Sequence, residues 1–223
     1  NYPLNYNAEY YDYKKLIVDD DFDNTELGWN VTRFSNLTNA CFKAANLTWF
    51  TKKIVIEVNE GTYNEEVNLN KDNLTIQGKN KEKVIISGSG SSAVLTTLQP
   101  NIRIENFTIV NGARGVKMES EQGIVENCII YNNGIGVLIG ECDQNTISRC
   151  NISHNSVDGV RIASTLTDVT QNSVIENIIH NNTQNGIMLQ GFNMYLTRIT
   201  DTLIENNLIY NNSKGIYLSL ADM

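Results

Sequence analysis

The feature that most constrains this chain is a short pattern that recurs five times in its second half. Each copy is a glycine, an aliphatic residue, any residue and a further apolar residue, and the copies begin at Gly115, Gly136, Gly159, Gly186 and Gly215. The glycines are 21, 23, 27 and 29 residues apart. Apolar residues also alternate at period two upstream of each copy, so every unit holds three short strand-like pieces separated by corners rich in Asn and Gly.

Alternation at period two excludes a helical repeat, and a unit of about 22 residues is too short for a propeller blade. Three short strands cannot bury an apolar face alone, whereas stacked coils can, with backbone hydrogen bonds joining coils about 4.8 Å apart. Asparagine, at 33 of 223 residues, fits the corners because it tolerates left-handed backbone and its amides can hydrogen-bond along a column. We expect one such column to contain Asn133, Asn155, Asn182 and Asn212.

The repeats, with the preceding segment IVIEVNEGTYNEEVNLNKDNLTIQGKNKEKVIISG, resemble the right-handed parallel β-helix repeat proteins. This pectin-lyase-like superfold includes NosD-like and archaeal surface proteins. Residues 18–46 resemble the strand-plus-helix lead-in of secreted archaeal members, whose short helix caps the open end of the coil. The resemblance implies an all-β, right-handed parallel β-helix with an N-terminal capping helix. Ser35 is the expected N-cap, and Leu37, Cys41 and Ala44 are expected on one helix face.

We predict three segments: a Tyr-rich arm at 1–17, a strand and capping-helix lead-in at 18–53, and the β-helix at 54–223. The arm holds Tyr2, Tyr6, Tyr10, Tyr11 and Tyr13. Tyrosine gives a large contact area at low entropic cost, so the arm is expected to pack on its own β-helix or on a neighbouring subunit. The repeat runs almost to Met223, which predicts that either more chain or another subunit covers the last coil.

Charge and composition exclude several classes of protein. The net charge is −8, and no Lys/Arg cluster exists to neutralise nucleic-acid phosphates. No apolar run is long enough to span a bilayer. The sequence starts at Asn1 rather than Met, which indicates a removed leader or an artificial start.

Eight Asn-x-Ser/Thr sequons occur, a modest excess over chance, and they predict an exported, N-glycosylated protein. The alternative is that an Asn-rich chain makes sequons by accident. The sequons lie at Asn30, Asn36, Asn46, Asn73, Asn106, Asn151, Asn181 and Asn211.

The four cysteines show no CxxC motif and no metal-ligand spacing with the two histidines, which argues against zinc or haem. Cys128 and Cys150 occupy the same inward position on successive coils. They are either two buried thiols or a disulfide between adjacent coils, and the sequence does not choose.

Insertions of increasing length, at 140–145, 163–172 and 190–201, are expected to lie over one another along one edge of the solenoid. An aromatic residue beside an arginine and carboxylates suits a sugar ring and a uronate. The predicted carbohydrate-binding residues are Asp168, Tyr195, Arg198 and Asp201; the alternative is that these loops are simply polar and variable.

Enzymes of this superfold, by resemblance, use a basic residue on an outer strand face or paired acids on neighbouring coils. Here the outward strand position is mixed, and no matched carboxylates occur along it. We therefore expect a non-enzymatic protein; a polysaccharide lyase or glycoside hydrolase is the alternative. The residues at the outward position are Lys117, Leu138, Arg161, Met188 and Tyr217.

The run DDDFD places Asp19, Asp21 and Asp23 two residues apart, like the start of a calcium loop, but Asn24 stands where an EF-hand needs Gly. On an extended strand the three carboxylates would share a face, so they could hold Ca²⁺ or form a solvated acidic edge. No cofactor is required by any motif.

Together these patterns predict a secreted structural protein that assembles with copies of itself or other surface proteins into a surface layer, filament or adhesin. The alternative is a module that binds or cleaves an acidic polysaccharide along the edge formed by 163–172 and 190–201.

Overall fold

Short alternating segments form almost all of the regular structure. The computed structural model describes residues 13–25, 27–28, 30–47, 53–192 and 197–221. In chain order the elements are β1 (Tyr13–Val18), β2 (Arg33–Phe34), α1 (Leu37–Ala45), β3 (Lys53–Val58), β4 (Gly61–Asn64), β5 (Val67–Leu69), β6 (Leu74–Gly78), β7 (Val84–Ser87), β8 (Ala93–Thr97), β9 (Arg103–Glu105), β10 (Thr108–Val110), β11 (Arg114–Met118), β12 (Ile124–Glu126), β13 (Ile129–Tyr131), β14 (Ile135–Gly140), β15 (Thr146–Ser148), β16 (Asn151–Ser153), β17 (Val160–Ala163), β18 (Val169–Thr170), β19 (Ser173–Ile175), β20 (Ile178–His180), β21 (Asn185–Phe192), β22 (Ile199–Thr200), β23 (Leu203–Glu205), β24 (Leu208–Tyr210) and β25 (Lys214–Ala221).

The strands stack as three parallel sheets around one apolar core, which confirms the predicted right-handed β-helix. The first sheet has the order β2-β1-β3-β6-β9-β12-β15-β19-β23, the second β24-β20-β16-β13-β10-β7-β4, and the third β25-β21-β17-β14-β11-β8-β5. Seven coils, from β3–β5 to β23–β25, each place one strand in every sheet. Inward residues of successive coils, such as Val125 and Ile147, lie in register and are fully buried.

The asparagine column predicted at one corner is present. The backbone N–H of Asn133 donates to Asn155 Oδ1 (3.0 Å), that of Asn155 to Asn182 Oδ1 (3.1 Å), and that of Asn182 to Asn212 Oδ1 (2.9 Å). Two further columns follow the same rule, one through Asn145 and Asn172 and one through Asn177 and Asn207. Each side chain thus satisfies a buried backbone group that the tight corner removes from the sheet ladders.

Asparagine also occupies the left-handed corners. Ten of the 18 described non-glycine residues with positive φ are asparagines. The short amide side chain tolerates this backbone better than other non-glycine residues do.

The cysteines are all buried, free thiols, so no disulfide joins Cys128 to Cys150. The Cys128 thiol donates to the Glu126 carbonyl oxygen at 3.2 Å. Burial, with a smaller contribution from Cys150, holds the pKa of Cys128 well above its ordinary value.

The capping helix exists but begins one residue later than predicted. Asn36, not Ser35, is the N-cap, and its side chain accepts the N–H of Asn39 at 2.8 Å. The two preceding helix amides, of Leu37 and Thr38, are bound instead by the Glu65 carboxylate at 2.7 and 2.9 Å. These Glu65 contacts tie the N-terminus of the helix to the first coil. The buried face of the helix includes the predicted Leu37, Cys41 and Ala44.

The boundary between the predicted arm and lead-in differs from the structure. Residues 13–17 belong to β1, which pairs in parallel with β3 from Tyr13↔Lys53 to Val18↔Val58. This segment is part of the first sheet because Leu16 and Val18 enter the core. The remaining arm tyrosines, Tyr2, Tyr6, Tyr10 and Tyr11, lie outside the described residues, as does the Tyr13 side chain, so their role in assembly stays a prediction.

Candidate functional site: a polar groove at the corner between the second and third sheets

A continuous depression follows the corner where each coil passes from the second sheet to the third. Three adjoining cavities of about 410, 310 and 760 Å³ share residues with their neighbours and cover five successive coils, beginning beside α1. We call this depression the corner groove. Its lining comprises Asp20, Ser35, Asn36, Thr38, Asn39, Thr62, Tyr63, Asn64, Glu65, Glu66, Ser87, Gly88, Ser89, Gly90, Asn111, Gly112, Ala113, Asn132, Asn133, Gly134, His154 and Ser156.

The groove exists because small residues form the corner. Gly112 has no room for a side chain, since an added Cβ would lie 2.4 Å from the Arg114 carbonyl oxygen. Gly134 is equally confined, with the Ala113 carbonyl oxygen 2.3 Å from such an atom. The same tight turns that allow the coils to stack therefore keep the floor of the groove low.

Polar side chains in the groove divide into committed and free groups. Asn133 is committed: its Oδ1 accepts the N–H of Gly112, and its Nδ2 donates to the carbonyl oxygens of Ile109 and Tyr131. Asn132 and Ser156, which are exposed, form no side-chain hydrogen bond with any described residue. An amide offers both donors and acceptors, and a hydroxyl does the same, so these free groups can bind the hydroxyls of a ligand.

Carboxylates occur in the lining only at the end near α1, and all three accept hydrogen bonds; Asp20 accepts the N–H of Thr62 at 3.2 Å. Glu65 holds the α1 amides, and Glu66 accepts the N–H and hydroxyl of Ser89 at 3.1 and 2.7 Å. The Ser89 hydroxyl, helped by its N–H, lowers the pKa of Glu66. The 760 Å³ section, in contrast, has no acidic residue in its lining.

A cluster of three ring side chains begins at the end of the groove lining and extends along the same corner to the next two coils. His154 lies at the end of the lining, and its ring meets that of His180 edge to face, with centroids 5.9 Å apart. His180 stacks on Tyr210 at 4.9 Å with parallel planes. Burial, and secondarily the neighbouring His154, lowers the pKa of His180, so its imidazole is neutral near pH 7. The spacing of the two histidines argues only against a metal site and does not predict this cluster, which the register His180↔Tyr210 brings together.

The predicted carbohydrate-binding edge has the expected stacking. Strands β18 and β22 of the two longest insertions pair in parallel, Val169↔Ile199 and Thr170↔Thr200. Asp168 Oδ1 accepts the backbone N–H of Arg198 at 2.8 Å, so this carboxylate helps to hold the loops together. Asp201 is exposed in a left-handed corner, and Tyr195 lies outside the described residues. Sugar binding at this edge stays a prediction.

The acidic run near the N-terminus has a different geometry from the one predicted. The strand ends at Val18, and a turn brings carboxylate oxygens of Asp19, Asp20 and Asp21 within 4.8 Å of one another. Asp23 is not part of this group, because its carboxylate accepts the N–H and hydroxyl of Thr25. The three predicted carboxylates therefore do not share one strand face, and Ca²⁺ binding by Asp19, Asp21 and Asp23 stays a prediction.

None of the eight sequon asparagines is buried. Four are exposed and four are half-buried; the exposed ones are Asn30, Asn46, Asn181 and Asn211, and the others are Asn36, Asn73, Asn106 and Asn151. Some of the amides have structural partners: Asn36 caps α1, and Asn151 Oδ1 lies 3.0 Å from His180 Nε2. Glycosylation stays a prediction.

The outward column of the third sheet is as the sequence predicted, with Lys117, Leu138, Arg161, Met188 and Tyr217 in register. Arg161 is paired with Asp158, a fully buried carboxylate, through contacts of 2.7 and 2.5 Å. Asp158 also accepts the N–H and amide of Asn185, so it acts as a structural anchor.

Comparison with known proteins agrees with this architecture. A family model described as a right-handed beta helix region matches residues 63–223. This chain belongs to the right-handed β-helix family. No curated protein sequence matches it significantly.

Solved structures with the same fold include enzymes and phage proteins. The pectin methylesterase from Aspergillus niger is 14% identical, with a TM-score of 0.57 over 93% of this chain and 91% of that one. The pectin methylesterase from carrot is 12% identical, with a TM-score of 0.51 and coverages of 93% and 89%. A tailspike protein of Acinetobacter baumannii bacteriophage Fri1, a capsular polysaccharide depolymerase, is 10% identical, with a TM-score of 0.59 over 93% of this chain and 46% of the tailspike. At these identities the likeness establishes the fold. Within the described residues, no helix has the length and apolar character needed to cross a membrane.

Proposed function

We propose that this chain is an extracellular polysaccharide-binding β-helix, and that an extended glycan lies in the corner groove. The observation that carries the proposal is the groove itself, which crosses five coils and leaves the side chains of Asn132 and Ser156 without hydrogen-bond partners among the described residues. Four coil spacings give a length of about 19 Å, enough for several sugar rings in a row. A concave surface with a few free polar groups is the usual form of a ligand site.

Binding, rather than cleavage, fits the carboxylates of the groove. Hydrolysis of a glycosidic bond usually needs two acidic groups, one on each side of the bond. Glu65 and Glu66 instead hold backbone N–H groups and a hydroxyl, and the largest section of the groove has no acid in its lining. The pectin methylesterases and the capsular depolymerase named above act on polysaccharides, which supports a polysaccharide as the class of ligand for this fold.

The proposal is tested by calorimetric titration with soluble polysaccharides, including polygalacturonate, its methyl ester and dextran. Ser156→Trp places a large side chain over the free part of the groove, and we expect binding to fall at least tenfold. Thr183→Trp is the matched control, because Thr183 follows Asn182 in the next coil as Ser156 follows Asn155, is exposed, and lies outside the lining. Equal binding by both variants would show that the glycan lies elsewhere, and shortened chains in the mixture would favour the enzymatic alternative.

A second candidate function is assembly through the face of the last described coil. The inward residues Ile216 and Leu218 are 46% and 70% exposed, although Val160 and Ile162, at the same positions two coils earlier, are fully buried. We propose a second copy of this chain as the occupant. Helix α1 packs on the first coil at the opposite end of the stack, so among the described residues the exposed apolar end is the C-terminal coil, and two copies that meet there would be related by a two-fold axis.

Light scattering at several protein concentrations tests the assembly. A dimer is expected, and Leu218→Lys should shift it to monomer. Leu166→Lys, in a loop where the side chain is 67% exposed, should leave the dimer unchanged. A wild-type protein that is monomeric at every concentration would contradict the assembly.

A further inference from the structure

The outer face of the second sheet carries no charged side chain on its last four coils. Strands β13, β16, β20 and β24 each direct their middle residue into the core, so the first and third residues of each strand point outward. Six of these eight outward residues are aliphatic or have a ring. We call the six the outer patch: Ile129, Tyr131, Ile178, His180, Leu208 and Tyr210.

Solvent reaches much of the outer patch. Ile178, Leu208 and Tyr210 are 41%, 57% and 41% exposed. The register Ile178↔Leu208 and His180↔Tyr210 makes these side chains neighbours, and the rings of His180 and Tyr210 stack. A contiguous apolar surface of this kind on a protein marks a site of interaction.

The outward residues of the first and third sheets differ from the outer patch. On the first sheet, Arg103 forms ion pairs with Glu105 and Glu126. On the third sheet, the outward column contains Lys117 and Arg161. The apolar character of the outer patch is therefore a local property and does not follow from the composition of the coils.

The first 12 residues have a chemistry that matches the outer patch. They lie outside the described residues, and apolar or tyrosine residues occupy every second position from 2 to 10 in their sequence. Alternation at period two is typical of an extended strand with one apolar side, and Glu9 falls on the polar side. The apolar side would contain Tyr2, Leu4, Tyr6, Ala8 and Tyr10.

The lengths of the patch and of the segment also agree. Four coils give three spacings, or about 14 Å along the stack. Alternate side chains of an extended strand are about 7 Å apart, so three of them cover the same length. A segment that crosses the coils could therefore place Tyr2, Leu4 and Tyr6 on the patch together. Tyrosine provides a large contact area at low entropic cost.

Distance favours the segment of another copy over that of the same chain. The described chain begins with β1 in the first sheet, whereas the far edge of the patch, on β24, lies in the second sheet and seven coil spacings further along the stack. Seven spacings are about 34 Å, and twelve extended residues reach about 40 Å. The segment of the same chain would have to run nearly straight and still pass around a corner of the solenoid.

We propose that the outer patch binds residues 1–12 of a second copy of this chain as an extended strand laid across β13, β16, β20 and β24. This interaction goes beyond the proposed function, because the surface is neither the corner groove nor the end of the last coil. The bound segment would cover the patch with tyrosine rings and leave its polar side in water. A contact of this size is smaller than a standard protein interface, so a single contact is weak and forms at micromolar concentrations.

Photo-crosslinking of the full chain tests the proposal. The protein carries Tyr6→p-benzoylphenylalanine and is prepared without glycans, because Asn151 is a sequon between Ile129 and Ile178 in the same register. Equal amounts of unlabelled and 15N-labelled protein are mixed and irradiated, and crosslinked peptides are identified by mass spectrometry. We expect crosslinks to Ile178, Leu208 or Tyr210, about half of them between a light and a heavy chain.

Two results of this experiment would overturn the proposal. Crosslinks confined to light–light and heavy–heavy pairs would show that the segment packs on its own chain. Crosslinks to another surface, or none at all, would show that the outer patch is not its binding site.

Ile178→Lys places a charge in the middle of the patch and should lower the yield of light–heavy crosslinks at least fivefold. Strand β24 separates Ile178 from the end of the stack, so the dimer proposed for the last coil should be unchanged. Leu98→Lys is the matched control, because Leu98 is 37% exposed and lies outside the patch. Equal yields in the two variants would contradict the proposal.

Tyr210→Ser provides a second variant, which decides the matter if Ile178→Lys does not fold. It removes one exposed ring from the patch and should lower the yield at least threefold; an unchanged yield would overturn the proposal. Ile178 and Tyr210 do not line the corner groove, so polysaccharide binding should be the same in both variants as in the wild type.

Discussion

At the scale of single residues, the asparagine side chains in the columns accept hydrogen bonds from buried backbone N–H groups at the corners. In most folds, regular secondary structure satisfies such groups. Asn155 is fully buried; its Oδ1 accepts the Asn133 N–H and its Nδ2 donates to Asn182 Oδ1. Asn155→Ala would leave the buried Asn133 N–H without a partner and remove one of the two donors to Asn182 Oδ1, which keeps the Asn155 backbone N–H. We expect it to lower the free energy of unfolding by about 2–4 kcal/mol.

Chemical denaturation measures this loss. Ser156→Ala is the control, since the neighbouring hydroxyl is exposed and has no partner among the described residues, and it should change stability by less than about 0.5 kcal/mol. Equal losses of stability in the two variants would mean that the hydrogen bonds of the column do not contribute to the free energy of unfolding.

The buried thiols provide a second prediction, for pH dependence. Burial raises the pKa of Cys142 to about 11, and it raises the pKa values of Cys41 and Cys128 as well. Unfolding returns these thiols to an ordinary pKa near 9.0, so above that pH the unfolded chain releases protons that the folded chain keeps. We expect the contribution of these thiols to the free energy of unfolding to be constant below pH 9 and to fall as the pH rises further.

A thiol reagent checks the same point at pH 8. None of the four cysteines should react in the native protein, and all four should react after unfolding in guanidinium. A cysteine that reacts rapidly in the native state would show that its surroundings are open to water.

At the scale of elements, one carboxylate organises a whole loop. Glu141, at the end of β14, accepts the backbone N–H groups of Thr165, Leu166 and Thr167 together with the two threonine hydroxyls. Burial disfavours its ionised form, but the hydrogen bonds, that from the Thr165 hydroxyl first, outweigh burial and lower its pKa. The loop between β17 and β18 is thus held by a single ionised group.

Glu141→Ala should therefore free this loop while leaving the coils intact. We expect protease cleavage near Leu166 and faster amide exchange at 165–167, with an unchanged β-sheet circular dichroism spectrum. Because the folded pKa is depressed, the clamp is complete above the ordinary value of 4.5 and is lost as pH falls through the lower folded value. Glu121→Gln, at an exposed residue whose side chain forms no hydrogen bond or ion pair with any described residue, should change none of these observables.

The elements also show which features the sequence could predict. The coils and the Asn133 column follow from local alternation and from fixed spacing, and both are present as predicted. The position of β1 depends on pairing with β3, some 40 residues later, and no local pattern contains that information. The expected strand face of Asp19, Asp21 and Asp23 is absent for a related reason: β1 ends at Val18, and the turn that follows decides which carboxylates meet.

The corner groove escaped prediction because its residues look architectural. Gly112, Asn132 and Ser156 have the composition expected of any solenoid corner, and only the stacked register shows that they form a continuous depression. The Glu141 clamp belongs to the same class of non-local contact.

At the scale of the whole molecule, a stack of similar coils should allow one coil to be removed without loss of folding, so that effects on binding can be measured separately from effects on stability. Each coil contacts only its neighbours, so removing one complete coil leaves two compatible faces that can close. Deleting residues 116–136 would join Gly115 to Val137 and bring the Gly112 amide under Asn155 in place of Asn133. This deletion shortens the corner groove by one coil and removes the free amide of Asn132.

We expect the shortened protein to unfold cooperatively with a β-sheet circular dichroism spectrum, but to bind polysaccharide at least tenfold more weakly. The matched control removes residues 187–215, which joins Gly186 to Ile216 and leaves every groove-lining residue in place. Calorimetric titration of both variants compares binding, and denaturation compares stability. If the two deletions weaken binding equally, the glycan does not depend on the groove, because only the first deletion changes it. If the first variant fails to fold while the control folds, the removed coil, which contains β12 and β13, contributes more than nearest-neighbour stacking, and the modular description of this β-helix is wrong.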